Sequence, residues 1–280
     1  MEAFEVLKVL NNNVLIASSP KFNEVVLIGK GIGFNRKKGH SISNKEAEKL
    51  YVLKGEVEQE QYKKLLPYID EATLSVIISA IDLIRRRTEA FLGEHIHVAL
   101  TDHILFAINR LMKGLEIKNP FITETKVLYP FEYGIAQEVV ELINDTTNIQ
   151  LPEGEIGFIA LHIHSAVTNK DLSEINQYSG LIAKLIDTIE DQFGIKINKD
   201  EINYMRLVRH LRYTIERVLN GEKVKEPEKI SSFLKHEYPL CYNLAWKLIK
   251  IMQQTLKKPV FDAEAVYLTM HLQRIQNKIK

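Results

Sequence analysis

The chain has 280 residues, 45% hydrophobic and 26% charged. This is a globular balance, long enough for two or three domains with real cores, and it excludes wholesale disorder. A formal net charge of +1 excludes a basic surface over the whole molecule, so any nucleic-acid-binding face must be local. Cys241 is the only cysteine, which excludes an internal disulfide and a multi-cysteine metal site and fits a reducing compartment. The N-terminal run MEAFEVLKVLNNN lacks a signal-like apolar region and no stretch of ~18 apolar residues occurs, so a cytoplasmic protein is expected.

The first fifty or so residues read as β-structure. Val6–Leu10 is a β-prone run, and Asn11-Asn12-Asn13 supplies turn chemistry, because asparagine tolerates left-handed backbone and bonds its own loop. Val14–Ala17 is the expected return strand, 18–23 with Pro20 a second turn, and Glu24–Ile28 a third strand. Gly29-Lys30-Gly31-Ile32-Gly33-Phe34 follows, with no helical pattern, and a short strand at Tyr51–Leu53 closes a small antiparallel sheet. Such a sheet is expected to have one solvated face and too little area to be stable alone, for which dimerisation is a remedy. Residues 1–40 hold six basic residues (Lys8, Lys21, Lys30, Arg36, Lys37, Lys38) against three acidic ones (Glu2, Glu5, Glu24). A cluster of that size is more often a solvated face than a binding site.

From about Gly55 the texture changes. GEVEQEQYKK reads as a charged linker, and nearly everything after it as amphipathic helix: Leu74, Ile77, Ile78, Ile81 and Ile84 keep helical spacing, as do Ala99, Leu100, Phe106 and Ala107.

The helical part repeats. Tyr129-Pro130-x-x-Tyr133-x-x-Ala136 matches Tyr238-Pro239-x-x-Tyr242-x-x-Ala245 at an offset of 109, and EIGFIALH (155–162) matches EAVYLTMH (264–271) at the same offset. HILFAINR (103–110) matches HLRYTIER (210–217) at an offset of 107. Two modules, 65–170 and 171–280, account for these offsets. The fold class expected is therefore a small antiparallel all-β sheet followed by two homologous all-α helical-bundle modules.

The repeat also sorts the nine histidines. His103 pairs with His210 and His162 with His271, whereas His40, His95, His97, His164 and His236 have no counterpart. A single histidine beside apolar helix neighbours is usually a satisfied, partly buried one, but two histidines kept in both copies weaken that reading. Metal binding is disfavoured: His95-x-His97 and His162-x-His164 would point to nearly opposite sides of a helix, and no H-E-x-x-H motif or cysteine cluster occurs. No serine or cysteine sits in a recognisable nucleophile turn. A charge switch fits better, because a neutral imidazole accepts a phosphoryl group reversibly and the dianion then acts on nearby acids and arginines. Asp102, Arg206, Arg209 and Arg274 are the charges nearest these histidines in sequence.

The runs VLNNNVLIAS, EVVLIGKGIGF, LTDHI, NPF, LPEGEIGFIALHIHS, LRYTIER and EYPLCYN, spread over the whole chain, resemble the transcriptional antiterminators of the sugar phosphotransferase system. The GKG turn and LPEGEIGFIALHIHS resemble the glucose-operon branch in particular. The resemblance implies an RNA-binding domain at 1–60, then two phosphotransferase-system regulation modules. It implies a dimer of small sheets that holds a hairpin in nascent leader mRNA, so that an overlapping terminator cannot form. A distorted RNA hairpin is read through its shape, its splayed bases and its minor groove. RNA contact is carried over to Asn13, Gly29, Lys30 and Phe34, with Asn11, Asn12 and Gly31 beside them. Many relatives have arginine where this chain has Lys30, and lysine suits a phosphate contact rather than a guanine-reading fork. His103, His162, His210 and His271 match the family's phosphorylation positions. In relatives the sugar permease (enzyme II) phosphorylates the first module and switches the protein off, while phosphorylation of the second by the phosphocarrier protein HPr favours activity. No cofactor, metal or catalytic residue is implied. The rivals are a DNA-binding activator on the same modules, which needs an N-terminal helix-turn-helix, and a phosphotransfer relay that binds no nucleic acid.

Overall fold

The structure is a computed structural model describing residues 3–21, 23–29, 31–47, 49–52, 60, 64–65, 71–89, 95–222 and 228–277, with backbone alone at 11, 23, 49–52, 71, 95 and 228–229. It divides into two compact units, Met1–Lys118 with Gly134–Asn169, and Asn119–Tyr133 with Lys170–Lys280.

The first unit opens with a five-stranded antiparallel sheet, β1 (Ala3–Asn11), β2 (Val14–Ser19), β3 (Asn23–Ile28), β4 (Ser41–Ser43) and β5 (Lys49–Val52), in the order β4-β1-β2-β3-β5. The strands expected from sequence are present, with β4 in addition. Three residues are too short for alternation to announce a strand, and β4 is held by register, with Phe4 opposite Ile42. Leu53, the expected end of the last strand, lies outside the described residues. So does the linker at 55–64, except for residues 60 and 64, both helical.

One sheet face forms its own core of Phe4, Val6, Leu15, Ala17, Val25, Leu27 and Ile42, closed by Ile32 from the following loop. The other face is not solvated, contrary to the expectation from sequence. Val14, Val26 and Ile28 pack against Leu74 and Ile78 of α1 (Glu71–Thr88) and Val98 of α2 (His95–Met112). Both faces of a half-buried strand are apolar here because a helical layer of the same unit covers the second.

Among the described residues the chain continues with α3 (Ile122–Leu128), α4 (Pro130–Thr146), α5 (Glu153–Thr168), α6 (Leu172–Phe193), α7 (Ile202–Asn220), α8 (Glu228–Glu237), α9 (Pro239–Leu256) and α10 (Ala263–Gln276). Leu74, Ile77, Ile78, Ile81 and Ile84 are all buried, as their spacing requires. Phe106, expected on the same apolar stripe as Leu100 and Ala107, is instead 59% exposed and lies under the Arg110 guanidinium at 5.4 Å. The repeated Tyr-Pro pair marks helix starts, since proline suits a first turn whose N–H is unused: Pro130 and Pro239 open α4 and α9. Asp171 caps α6 by accepting from Ser173 N at 2.7 Å, and Gly194 ends it at φ +66°, a conformation other residues adopt at a cost.

Residues 119–133 belong by sequence to the first copy of the repeat but cluster with the second unit. There α3 packs against α6 and α7. Buried Glu124 accepts from Tyr204 Oη and, at 2.8 Å, from Lys199 Nζ. Arg212 donates to the Leu128 carbonyl at 2.8 Å and lies 5.0 Å from the centre of the Tyr129 ring. Among the described residues no helix is long and apolar enough to cross a membrane.

Candidate RNA interface and histidine clusters

The N-terminal candidate residues meet at one end of the sheet. Asn11 pairs with Val14, leaving Asn12 and Asn13 as a two-residue hairpin loop. Positive φ occurs at neither asparagine, so their use here is hydrogen bonding and not left-handed backbone. Asn13 O accepts from Gly29 N at 3.0 Å, Asn13 Oδ1 accepts from Gly31 N, and Asn12 O accepts from Gly33 N at 2.8 Å. The glycine-rich loop is thereby stapled to the hairpin, with Ile32 buried beneath it. Gly31 has φ +68°, a turn conformation that favours glycine.

Asn13 is buried and its side-chain oxygen is spent on the loop, so it shapes the surface, while Asn12 and Gly31 are exposed. Phe34, with its N–H donated to Gly31 O at 3.0 Å, is 64% exposed. An aromatic ring held out from an ordered turn can offer its face to an unpaired base. Gly29 is buried at the loop's base. Lys30 and the side chain of Asn11 lie outside the described residues.

The four paired histidines form two clusters. In the first unit, His103 on α2 and His162 on α5 have ring centroids 4.9 Å apart, with Phe158 5.8 Å from His103. His103 Nε2 lies 2.9 Å from Oε2 of Glu155, whose other oxygen accepts from Arg110 Nη2. In the second unit, His210 on α7 and His271 on α10 lie 4.8 Å apart, with Tyr267 6.1 Å from His210. Glu264 Oε1 accepts from Arg217 Nε and Nη2 at 2.9 and 2.7 Å. The helix pair is the same in each copy: one helix gives histidine and arginine seven residues apart, the other glutamate and histidine seven residues apart, two turns on one face.

Burial and the neighbouring His103 push His162 down to about 3, so its ring is neutral. Burial, followed by His271 and Arg217, pushes His210 down to about 3. His271 is lowered by burial and then by Arg274 and Arg206. The lowered values keep these three imidazoles neutral at neutral pH, the state in which a ring nitrogen can act as a nucleophile.

The glutamates and arginines escaped the sequence reading, which sought charges adjacent in sequence; Asp102 and Arg209 prove exposed. The signal was nevertheless present. Arg110 and Arg217 end the matching runs that begin with His103 and His210, and Glu155 and Glu264 begin those that end with His162 and His271.

Comparison with known proteins agrees with this architecture. The model of the CAT RNA binding domain matches residues 4–60, and that of the PRD domain matches residues 79–166 and 183–275. The PtsGHI operon antiterminator of Bacillus subtilis is 60% identical over 99% of both chains. The chain belongs to this family of antiterminators. It is a transcriptional regulator, not an enzyme, with an RNA-binding domain followed by two PRD domains. The GlcA/glcB genes antiterminator of Staphylococcus carnosus is 43% identical over 97% of this chain and 96% of its own. A solved structure described as GlcT CAT-PRDI is 58% identical with a TM-score of 0.54, covering 60% of this chain and 99% of that one.

Proposed function

We propose that this antiterminator acts as a homodimer on a hairpin in the leader mRNA of glucose-transport genes, and that phosphorylation of His103, His162, His210 and His271 controls it. The RNA-binding domain spans 1–60 and the regulatory modules 65–170 and 171–280. Asn11, Asn12, Gly31 and Phe34 touch RNA, Lys30 contacts phosphate, and buried Asn13 and Gly29 hold the surface in shape. Exposed Phe34 on a loop fastened to the asparagine turn supports this division of labour. Glucose genes are inferred from the relatives' names and from 60% identity over the full length.

The observation that carries the regulatory part is the duplicated cluster: in each copy two histidine rings, tilted and with centroids 4.9 or 4.8 Å apart, lie beside a buried glutamate that is paired with an arginine. A phosphoryl dianion on either ring repels the glutamate and competes for the arginine, which turns a local charge into a repacking of two helices. The donors are the sugar permease (enzyme II) for the first module and the phosphocarrier protein HPr for the second. Modification of the first module weakens the active dimer and lowers RNA binding by mass action.

The test is a gel shift with a leader-RNA hairpin and a measurement of oligomeric state, using wild type and a His103→Asp/His162→Asp variant. Wild type should shift the hairpin in preference to duplex DNA, and the variant should lose both dimer and shift. A variant that stays dimeric and binds as tightly as wild type refutes the regulatory mechanism. Preference for duplex DNA favours a DNA-binding activator, and absence of any shift favours a phosphotransfer relay.

A further inference from the structure

The two histidine clusters are built from equivalent residues, yet they are wired differently. The difference traces to one position, four residues after the first histidine and hence one turn along the same helix face. Ala107 stands there in the first copy and Thr214 in the second. Thr214 Oγ1 donates to Glu264 Oε2 at 2.8 Å and accepts from Arg217 Nη2 at 3.2 Å. With the carboxylate drawn to the hydroxyl, His210 Nε2 is 3.6 Å from Glu264 Oε2, beyond a hydrogen bond. His210 Nδ1 is buried and has no hydrogen-bond partner among the described residues. In the first copy the equivalent position offers no hydroxyl: Ala107 is apolar and buried, and Glu155 Oε2 lies 2.9 Å from His103 Nε2. Glu155 is ion-paired with Arg110, and a carboxylate can only accept, so the proton in the contact with His103 sits on His103 Nε2.

We propose that residue 107/214 is a positioning residue that sets the readiness of each module's first histidine to accept a phosphoryl group at Nε2. Alanine lets the carboxylate clasp Nε2–H of His103, and threonine takes the carboxylate away and leaves Nε2 of His210 unclasped. This rests on the reading that these histidines are phosphorylated. Acceptance at Nε2 requires a lone pair on that nitrogen. His103 must first break its bond to Glu155 and move its proton to Nδ1, whereas His210 has no such bond to break. The second module is therefore the one whose first histidine is open to the donor, and the first module is held back until the clasp is released.

The test uses the full chain, labelled with nitrogen-15 in histidine, as wild type, Ala107→Thr, Thr214→Ala and Thr214→Ser. Long-range proton–nitrogen spectra at neutral pH report which ring nitrogen carries the proton and whether it is hydrogen-bonded. Wild-type His103 should show a protonated, bonded Nε2, and His210 should not. Thr214→Ala should convert His210 to the pattern of His103, Ala107→Thr should release His103, and Thr214→Ser should match wild type because it keeps the hydroxyl.

Phosphoramidate then serves as a small donor that needs no protein docking. Its nitrogen–phosphorus bond breaks, a ring nitrogen bonds to phosphorus, and the ring proton leaves with ammonia as ammonium. Site occupancy is read by mass spectrometry under conditions that preserve phosphohistidine. Labelling of His210 should slow about tenfold in Thr214→Ala, and that of His103 should rise about tenfold in Ala107→Thr, as expected for one hydrogen bond to a charged acceptor. Unchanged ring-nitrogen patterns in both variants overturn the proposal, and so do changed patterns with unchanged labelling rates. If no histidine is labelled by phosphoramidate or by phosphorylated donor proteins, the phosphorylation reading fails, and the proposal's claim on reactivity fails with it. The spectra still decide separately whether residue 107/214 controls the clasp.

Discussion

Acidification should weaken both units through histidines that fold in the neutral state. His162 and His210 each fall from an ordinary value of 6.5 to about 3 on folding, with burial as the first cause. Between those values the unfolded chain binds a proton that the folded chain refuses. Stability is therefore fully present above about pH 6.5 and is lost as the pH falls towards about 3. At about pH 5.5 the unfolded ring is roughly ten-elevenths protonated, which costs about 1.4 kcal/mol per histidine relative to about pH 8. His162 lies in the first unit and His210 in the second, so each share weighs on its own unit. His271 adds to the second in the same direction.

Urea denaturation across that pH range should show these losses, and His162→Gln, which does not titrate, should remove the first unit's share. Proton spectra of the native protein should show neither ring titrating above about pH 5. A titration midpoint near 6.5 for either ring, or an unchanged pH slope in His162→Gln, refutes the burial argument.

Two other outcomes follow from the geometry. Phe34→Ala should leave the fold intact, since the ring is 64% exposed. It should also weaken hairpin binding by ~1–3 kcal/mol, the worth of one stacked base. With no charge removed, the salt dependence of a filter-binding titration should be unchanged; unaltered affinity rules out stacking. Glu155→Gln should destabilise more than Glu264→Gln in thermal denaturation, because Arg110 keeps 8% of its side chain exposed and Arg217 28%. A stranded buried guanidinium costs on the order of 3 kcal/mol, while water screens the more open one. Equal losses contradict this.

The sequence by itself determined the order of parts, four of the five strands, the duplicated helical modules and the four histidines out of nine. These are legible because periodicity, turn chemistry and repeat offsets are local or one-dimensional properties. β4, only three residues long, carries no periodicity and is defined by its partner strand. The covering of the sheet's second face by Leu74, Ile78 and Val98 is likewise a matter of what the chain folds back upon. The same holds for Asn13, which turn propensity marked as a loop residue and which the fold uses as an internal staple for Gly31. Most consequentially, only the packing of two helices brings Glu155 to His103 and Glu264 to Thr214, across about fifty residues of chain. Charge and burial depend on distance in space, so sequence could pick out the histidines, but tertiary structure alone decided which ring is clasped and which is left open.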